Sequence, residues 1–189
     1  NENQLIHFIG KDIIYFHALF WPAVLDGAEL KKPDGIYVNG FLTVNGKKMS
    51  KSRGTMIKAR TYLDHLNPEY LRYYYAYKLN SGMDDFDLDT NDFLHRVNSD
   101  LVGKCVNIAS RCAKFINDDF NNQLSGKIAD QELLSQFQQS SSSIATMYKH
   151  REFGRAMRTI MSLADQANRY LDKEKPWNLA KDVTKKEQV

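Results

Sequence analysis

From about Thr90 onward, apolar side chains recur at helix spacing, and three such stripes in succession leave few folds open. Val97, Leu101, Cys105, Ile108, Cys112 and Phe115 make the first stripe. Leu133, Phe137, Ile144 and Tyr148 make the second, and Phe153, Met157, Ile160, Ala164, Ala167 and Leu171 the third. A helix with one apolar side has to bury that side against a neighbour, so the spacing predicts an all-α bundle. The second stripe runs through Gln138-Gln139-Ser140-Ser141-Ser142-Ser143. Because the stripe persists there, the serines read as the wet face of a helix rather than a linker. A further helix starts near Pro176-Trp177.

The first half reads differently. Leu5-Ile6-His7-Phe8-Ile9 is a short apolar run ending in Gly10. A helical pattern of Ile13, Phe16, His17, Phe20 and Leu25 follows, with Asp12 placed where a helix N-terminus favours a carboxylate and Pro22 expected to kink or restart the helix. Strand, glycine turn and helix make half of a nucleotide-binding α/β unit. Ile36–Val38 and Phe41–Val44 read as further strands, punctuated by the turn dipeptides Asn39-Gly40 and Asn45-Gly46. Helices are expected over Lys58–Leu66 and Pro68–Leu79, with Pro68 suited to a first helical position. The expected architecture is an α/β piece, the C-terminal half of a Rossmann-type domain, followed by an all-α helix bundle, predominantly helical overall. The divisions expected are 1–46, 47–90 and 91–189. There is no internal repeat.

Composition narrows the function classes. The 189 residues are 42% hydrophobic and 26% charged, with net charge +3, as in an ordinary water-facing domain with a core. The longest apolar run, Ile13 to Leu25, holds His17 and Pro22 and is shorter than a membrane span of about 20 residues. Residues 1–12 do not have the form of a signal peptide. The chain starts at Asn1, without an initiator Met and inside an expected strand, and reads as a fragment of a longer protein. Cys105 and Cys112 lie seven apart on one stripe, about 10 Å between Cα atoms on a helix, too far for a disulfide. They are expected to be core thiols in a reducing cytoplasm. No Cys/His cluster has metal-ligand spacing.

Charge is more telling in its placement. Residues 47–60 carry Lys47, Lys48, Lys51, Arg53, Lys58 and Arg60 with no acid, and residues 81–94 carry Asp84, Asp85, Asp87, Asp89 and Asp92 with no base. A basic block suits a polyanion and the acidic one suits the start of a helix, although either also suits a solvated face. Within the basic block, Asn45-Gly46-Lys47-Lys48-Met49-Ser50-Lys51-Ser52-Arg53-Gly54 follows a strand. Amines, hydroxyls and backbone N–H groups on such a loop can wrap a triphosphate. The loop lacks the glycine and Ser/Thr positions of a P-loop. By residue type alone it is either a phosphate-binding loop or a solvated basic one.

The string Lys48-Met49-Ser50-Lys51-Ser52 resembles the signature loop of the class I aminoacyl-tRNA synthetases. The flanks resemble the methionyl branch of that family: His7-Phe8-Ile9-Gly10-Lys11-Asp12, Phe16-His17, Trp21-Pro22, Leu71-Arg72-Tyr73-Tyr74, Asn107, Ile108, Arg111 and Pro176-Trp177. The similarity covers nearly the whole chain. It implies a ligase that uses ATP, with Mg2+, to activate methionine and then charges tRNA(Met), with no membrane partner. Lys51 matches the lysine that steadies transition-state charge on the phosphates, with Lys48, Ser50 and Ser52 as its loop companions. Gly10 and Asp12 match the turn beside the adenosine, and Leu42 the strand flanking the adenine. Asp12 also suits a plain helix-capping role. Phe16, His17 and Trp21 match the wall around the methionine side chain, where aromatic faces suit a thioether. From the residues alone they are an ordinary apolar helix face.

The resemblance makes residues 91–189 an anticodon-binding domain, truncated here, in which Asn107, Arg111, Pro176 and Trp177 face the anticodon. Asn107 and Arg111 are four apart and lie roughly 115° from the centre of the first stripe, free to point at a ligand. An amide and a guanidinium suit base edges, and an indole suits stacking. Surface residues and a core-capping Trp177 are the plainer reading. The His-Ile-Gly-His-type motif of the family is absent from these residues, so the chain by itself is expected to be inactive. Some members carry zinc N-terminal to the matching segment. The alternative is a non-catalytic tRNA-binding helical module with a relict synthetase loop.

Overall fold

A computed structural model describes residues 3–50 and 54–181. β1 (Ile6–Gly10) and β2 (Gly35–Asn39) run parallel, with Ile6 opposite Gly35 and Gly10 opposite Asn39. Parallel strands need a crossover. Here it comprises a 3₁₀ turn (Lys11–Ile13), wide π turns (Phe16–Phe20) and α1 (Trp21–Gly27). The hydrogen-bonding pattern changes beside Pro22, which lacks an N–H to return to the preceding turn.

The two Asn-Gly pairs do different work. Asn45 and Gly46, at φ 49° and 72°, join β3 (Leu42–Val44) to β4 (Lys47–Lys48) as the expected hairpin. Asn39-Gly40 is not a hairpin turn, because β2 and β3 lie in separate sheets. Gly40 is needed for close approach: a Cβ there would sit 2.1 Å from the Asp84 carbonyl oxygen. The chain passing Gly40 forms β5 (Phe86–Leu88), parallel to β3, in the order β4-β3-β5. This strand lies inside the acidic block, where no strand was expected. Its carboxylates have defined partners. Asp87 accepts from the Thr43 hydroxyl at 2.5 Å and the Gly46 N–H at 2.9 Å, and Asp85 accepts from the Phe41 N–H at 2.7 Å. Asp89 caps the helix that begins at Thr90, accepting from the N–H groups of Asn91 and Asp92, and Asp92 lies in its first turn, as expected of acids at a helix start.

α2 (Ala59–Leu63) is shorter than expected, and α3 (Pro68–Lys78) starts at Pro68 with Asn67 as its cap. α3 is the wall shared by both halves. Tyr74, fully buried, packs with Leu88, Phe93 and Val97, while Tyr73 packs with Ala156, Met157 and Met161.

α4 (Thr90–Arg96), a π segment (Val97–Val106) and α5 (Asn107–Phe120) form one continuous rod. π turns advance less than 100° per residue, which breaks the 3.6-residue stripe. Lys104 consequently turns inward to Asp165 at 2.9 Å, while Cys105 is exposed and Cys112 half-buried. The expected pair of core thiols is therefore corrected at Cys105. α6 (Gln131–Lys149), α7 (Phe153–Glu174) and α8 (Pro176–Leu179) follow. The serine run lies inside α6, and Ser140, Ser141, Ser142 and Ser143 each donate to a carbonyl three or four residues back, which lets polar side chains ride a helix. Among the described residues no helix is long and apolar enough to cross a membrane.

Candidate functional site

The basic loop leaves the β3–β4 hairpin at Lys48 and returns at Gly54, whose φ is +66°. Its two ends are tied by Thr55. The Thr55 hydroxyl accepts from the Ser50 N–H at 3.0 Å and donates to the Lys48 carbonyl at 2.9 Å, and the Thr55 N–H donates to the Ser50 carbonyl at 3.2 Å. Lys51 and Ser52, singled out from sequence, lie outside the described residues. Thr55 was not singled out, since a lone threonine after a loop carries no spacing signal.

The end of β1 comes to the same place. Lys11 pairs with Asp85 at 2.6 Å, and its Nζ lies 4.6 Å from the centre of the Phe41 ring. Lys48 Nζ lies 6.0 Å from the same ring. The Lys11 ammonium and the Phe41 N–H hold the Asp85 carboxyl below its ordinary range. Two cations thus lie about one ring, one on the loop and one on the neighbouring strand end, with Asp85 offsetting the charge of Lys11 and Lys48 left to face an anion. Gly10 and Asp12 adjoin this spot. A Cβ on Gly10 would lie 2.8 Å from Asp12 Oδ1, so the glycine makes room for a carboxylate that leans back along the chain. Asp12 is exposed. Leu42 turns its side chain to the Tyr74–Leu88–Phe93–Val97 cluster and so packs into the core.

Phe16, His17 and Trp21 share the crossover. Phe16 and Trp21 are 61% and 46% exposed, so their rings are accessible. Phe16 stacks at a tilt on Phe20, ring centres 5.8 Å apart. His17 is half-buried, and its Nδ1 lies 3.2 Å from Nδ1 of His7 on β1, the two rings edge to face. One imidazole must donate and the other accept, so His7 fixes how His17 is presented. His7 went unremarked as a site residue because nothing in sequence spacing brings a strand residue onto the helix ten positions later.

In the bundle, Asn107 and Arg111 face α7 and are not free, contrary to the sequence expectation. Asn107 Nδ2 donates to Asn168 Oδ1 at 3.0 Å, and Arg111 pairs with Asp172 at 2.5 Å. With Lys104–Asp165 these make three rungs, each joining residues 61 apart, so α7 runs parallel to the rod. Asn168 also donates to the Lys104 carbonyl at 3.2 Å, inside the π segment. Neither Asn168 nor Asp172 stands out in the sequence. Lys175, at φ 48°, ends α7 and turns the chain into α8, where Pro176 is buried and Trp177 is half-buried. The Arg111 guanidinium lies 4.3 Å from the Trp177 ring centre. Arg111 and Trp177 thus meet, and Pro176 anchors the indole. Among the described residues no His, Cys, Asp and Glu side chains group to hold a metal ion.

Residues 1–113 match the family model described as tRNA synthetases class I (M). Over 189 residues, the whole of this chain, the sequence is 57% identical to the methionine–tRNA ligases of two strains of Francisella tularensis subsp. holarctica, FTNF002-00 / FTA and OSU18. The chain spans 28% of the length of these relatives. Its fold is similar to Mycobacterium tuberculosis methionyl-tRNA synthetase bound by methionyl-adenylate, with TM-score 0.86 and 28% identity over 97% of this chain and 37% of that one. The apo form of the same synthetase gives TM-score 0.82 and 26% identity, over 97% of this chain and 36% of that one.

Proposed function

The chain belongs to the class I tRNA synthetases (M), and on that premise we propose that it works within a longer methionine–tRNA ligase. It carries part of the ATP and methionine sites together with the helices that read the anticodon. In that enzyme the methionine carboxylate attacks the α-phosphate of ATP and pyrophosphate leaves. A hydroxyl of the terminal ribose of tRNA(Met) then takes the methionyl group and AMP leaves. The setting is the cytoplasm, where charged tRNA is consumed.

The observation that carries this reading is the loop beginning at Lys48, tied at its base and set beside Lys11 and Phe41. Lys51, with Lys48, Ser50 and Ser52, steadies charge on the triphosphate, an electrostatic role that needs no covalent nucleophile. Mg2+ comes with the nucleotide as part of the substrate. Gly10, Asp12 and the backbone around Leu42 line the adenosine side. The accessible rings of Phe16 and Trp21, with His17 held by His7, form one side of the methionine pocket. Trp177 stacks on an unpaired anticodon base, with Asn107 and Arg111 beside it and Pro176 fixing the indole. Zinc has no ligand set among the described residues, and no step here passes through it.

The test is Lys51→Ala in the full-length enzyme. Methionine-dependent ATP–pyrophosphate exchange is expected to slow about 10²–10³-fold, the scale of losing one transition-state donor, with the methionine KM unchanged. Wild-type exchange in that variant would remove the loop from the chemistry. No exchange in the wild-type full-length protein would instead favour a tRNA-binding module that keeps a relict loop.

A further inference from the structure

The loop base holds a residue that neither the family resemblance nor the motif singles out. Thr55 lies beyond the signature string, half-buried, and its hydroxyl both donates and accepts. A threonine hydroxyl has one proton to give and lone pairs to accept with. Here the proton goes to the Lys48 carbonyl at 2.9 Å and the oxygen receives the Ser50 N–H at 3.0 Å. The Thr55 N–H closes a second link, to the Ser50 carbonyl at 3.2 Å. Both backbone groups of Ser50 are therefore tied to one residue, as is the carbonyl of Lys48.

We propose that Thr55 is the positioning residue of this loop, a clasp that fixes the backbone of Lys48 and Ser50 and so sets Lys48 in its place beside the Phe41 ring. The inference rests on the function proposed above. The residue after Ser50 is Lys51, so fixing Ser50 sets the point from which that side chain departs. Without the clasp the backbone at Lys48 and Ser50 has more conformations to lose when phosphates bind. Ordering a backbone costs conformational entropy, which makes such pre-setting valuable. The methyl group of Thr55 has no part in this; the hydroxyl does.

Two variants separate these roles. Thr55→Val keeps the shape and removes the hydroxyl, while Thr55→Ser keeps the hydroxyl and removes the methyl. In the full-length enzyme Thr55→Val is expected to lower kcat/KM for ATP in pyrophosphate exchange about 10-fold, the scale of two modest hydrogen bonds. The methionine KM and the thermal midpoint should stay put, and Thr55→Ser should return to within about 2-fold of wild type. A parallel measurement is hydrogen exchange at the Ser50 amide in residues 1–189. Protection should fall in Thr55→Val and persist in Thr55→Ser. Thr55→Ala serves both measurements if valine is not tolerated. Unchanged ATP kinetics in Thr55→Val, or a serine variant as slow as the valine one, overturns the inference. Lost amide protection in an enzyme whose wild type shows no exchange would leave the clasp standing and reject the function proposed for the chain.

Discussion

The guanidinium of Arg111 rests 4.3 Å from the centre of the Trp177 ring while pairing with Asp172 at 2.5 Å. An aromatic ring and a cation held together in this way form a stacking surface with a charged edge, suited to an unpaired base. Trp177→Ala in the full-length enzyme is expected to cost about 1–3 kcal/mol in aminoacylation of tRNA(Met), with ATP–pyrophosphate exchange near normal. Arg111→Ala should lose less and should show a shallower dependence of tRNA binding on salt than the parent. Measuring both activities in each variant decides the matter. If exchange and charging fall together, Trp177 serves the core.

A second expectation concerns the seam at α3. Asp100, 4% exposed, accepts from the Tyr73 hydroxyl at 2.7 Å and has Arg96 at 3.8 Å and Lys104 at 3.6 Å. Burial, then the bond to Asp100, pushes the Tyr73 phenol well above its usual range, so it stays a donor. Tyr73→Phe should destabilise residues 1–189 by about 1.5–3 kcal/mol, the range for a hydrogen bond to a charged group. Urea unfolding gives the number, and an unmoved midpoint would show that this bond contributes nothing to the fold.

The pH dependence follows from Asp92. Burial pushes its carboxyl up, but the bonds from Lys78 and Tyr74 outweigh that and its pKa is net lowered. Burial pushes Lys78 down, and the bonds and charge interactions with Asp92 and Tyr74 together outweigh that, so its pKa is net raised. A lowered acid stabilises the fold above its unfolded pKa, and the gain drains as pH falls through the folded value. A raised base stabilises below its unfolded pKa, and the gain drains as pH rises through the folded value. The pair should therefore act fully from about pH 5 to about pH 9. Asp92→Asn is expected to lower stability inside that window and to flatten the acid limb. Circular dichroism against pH would show two parallel curves if Asp92 had no part.

Two glycines make a controlled comparison. A Cβ at Gly40 meets the Asp84 carbonyl oxygen at 2.1 Å, whereas one at Gly27, the last residue of α1, meets nothing within 4 Å. Gly40→Ala should cost about 1–3 kcal/mol or more, because backbone must move to admit it. Gly27→Ala should be neutral or stabilising by up to about 1 kcal/mol. Equal thermal midpoints for the two variants would mean that the β2–β3 link is looser than drawn.

What the sequence made legible was what periodicity and caps carry. The stripe of Phe153, Met157, Ile160 and Leu171 is α7, the Asn45-Gly46 turn is a hairpin, and Pro68 opens α3. Three things were hidden for physical reasons. β5 is three residues long among carboxylates, so its strand character comes from pairing with β3 rather than from its composition. The π segment changed the angular step of the rod, turning Cys105 outward and Asn107 and Arg111 onto α7. His7, Thr55, Asn168 and Asp172 act through partners fixed only by tertiary contact, and no local spacing announces such partners. The loop was legible as a phosphate loop only through its resemblance, since basic composition alone also fits a solvated surface.

The three rungs between the rod and α7, all 61 residues apart, have a bearing on which length changes the chain can absorb. Lys104, Asn107 and Arg111 advance in step with Asp165, Asn168 and Asp172, like two rulers laid edge to edge. Residues 121–130 lie between α5 and α6, outside both rulers. Lengthening that connection slides neither scale, and loop-closure cost grows only slowly with length. One residue added within α7 between Asp165 and Asp172 would instead rotate every later tooth by about 100°, parting Arg111 from Asp172. Drift among related chains should therefore gather as insertions and deletions in the connection, while the segment from Asp165 to Asp172 keeps its count.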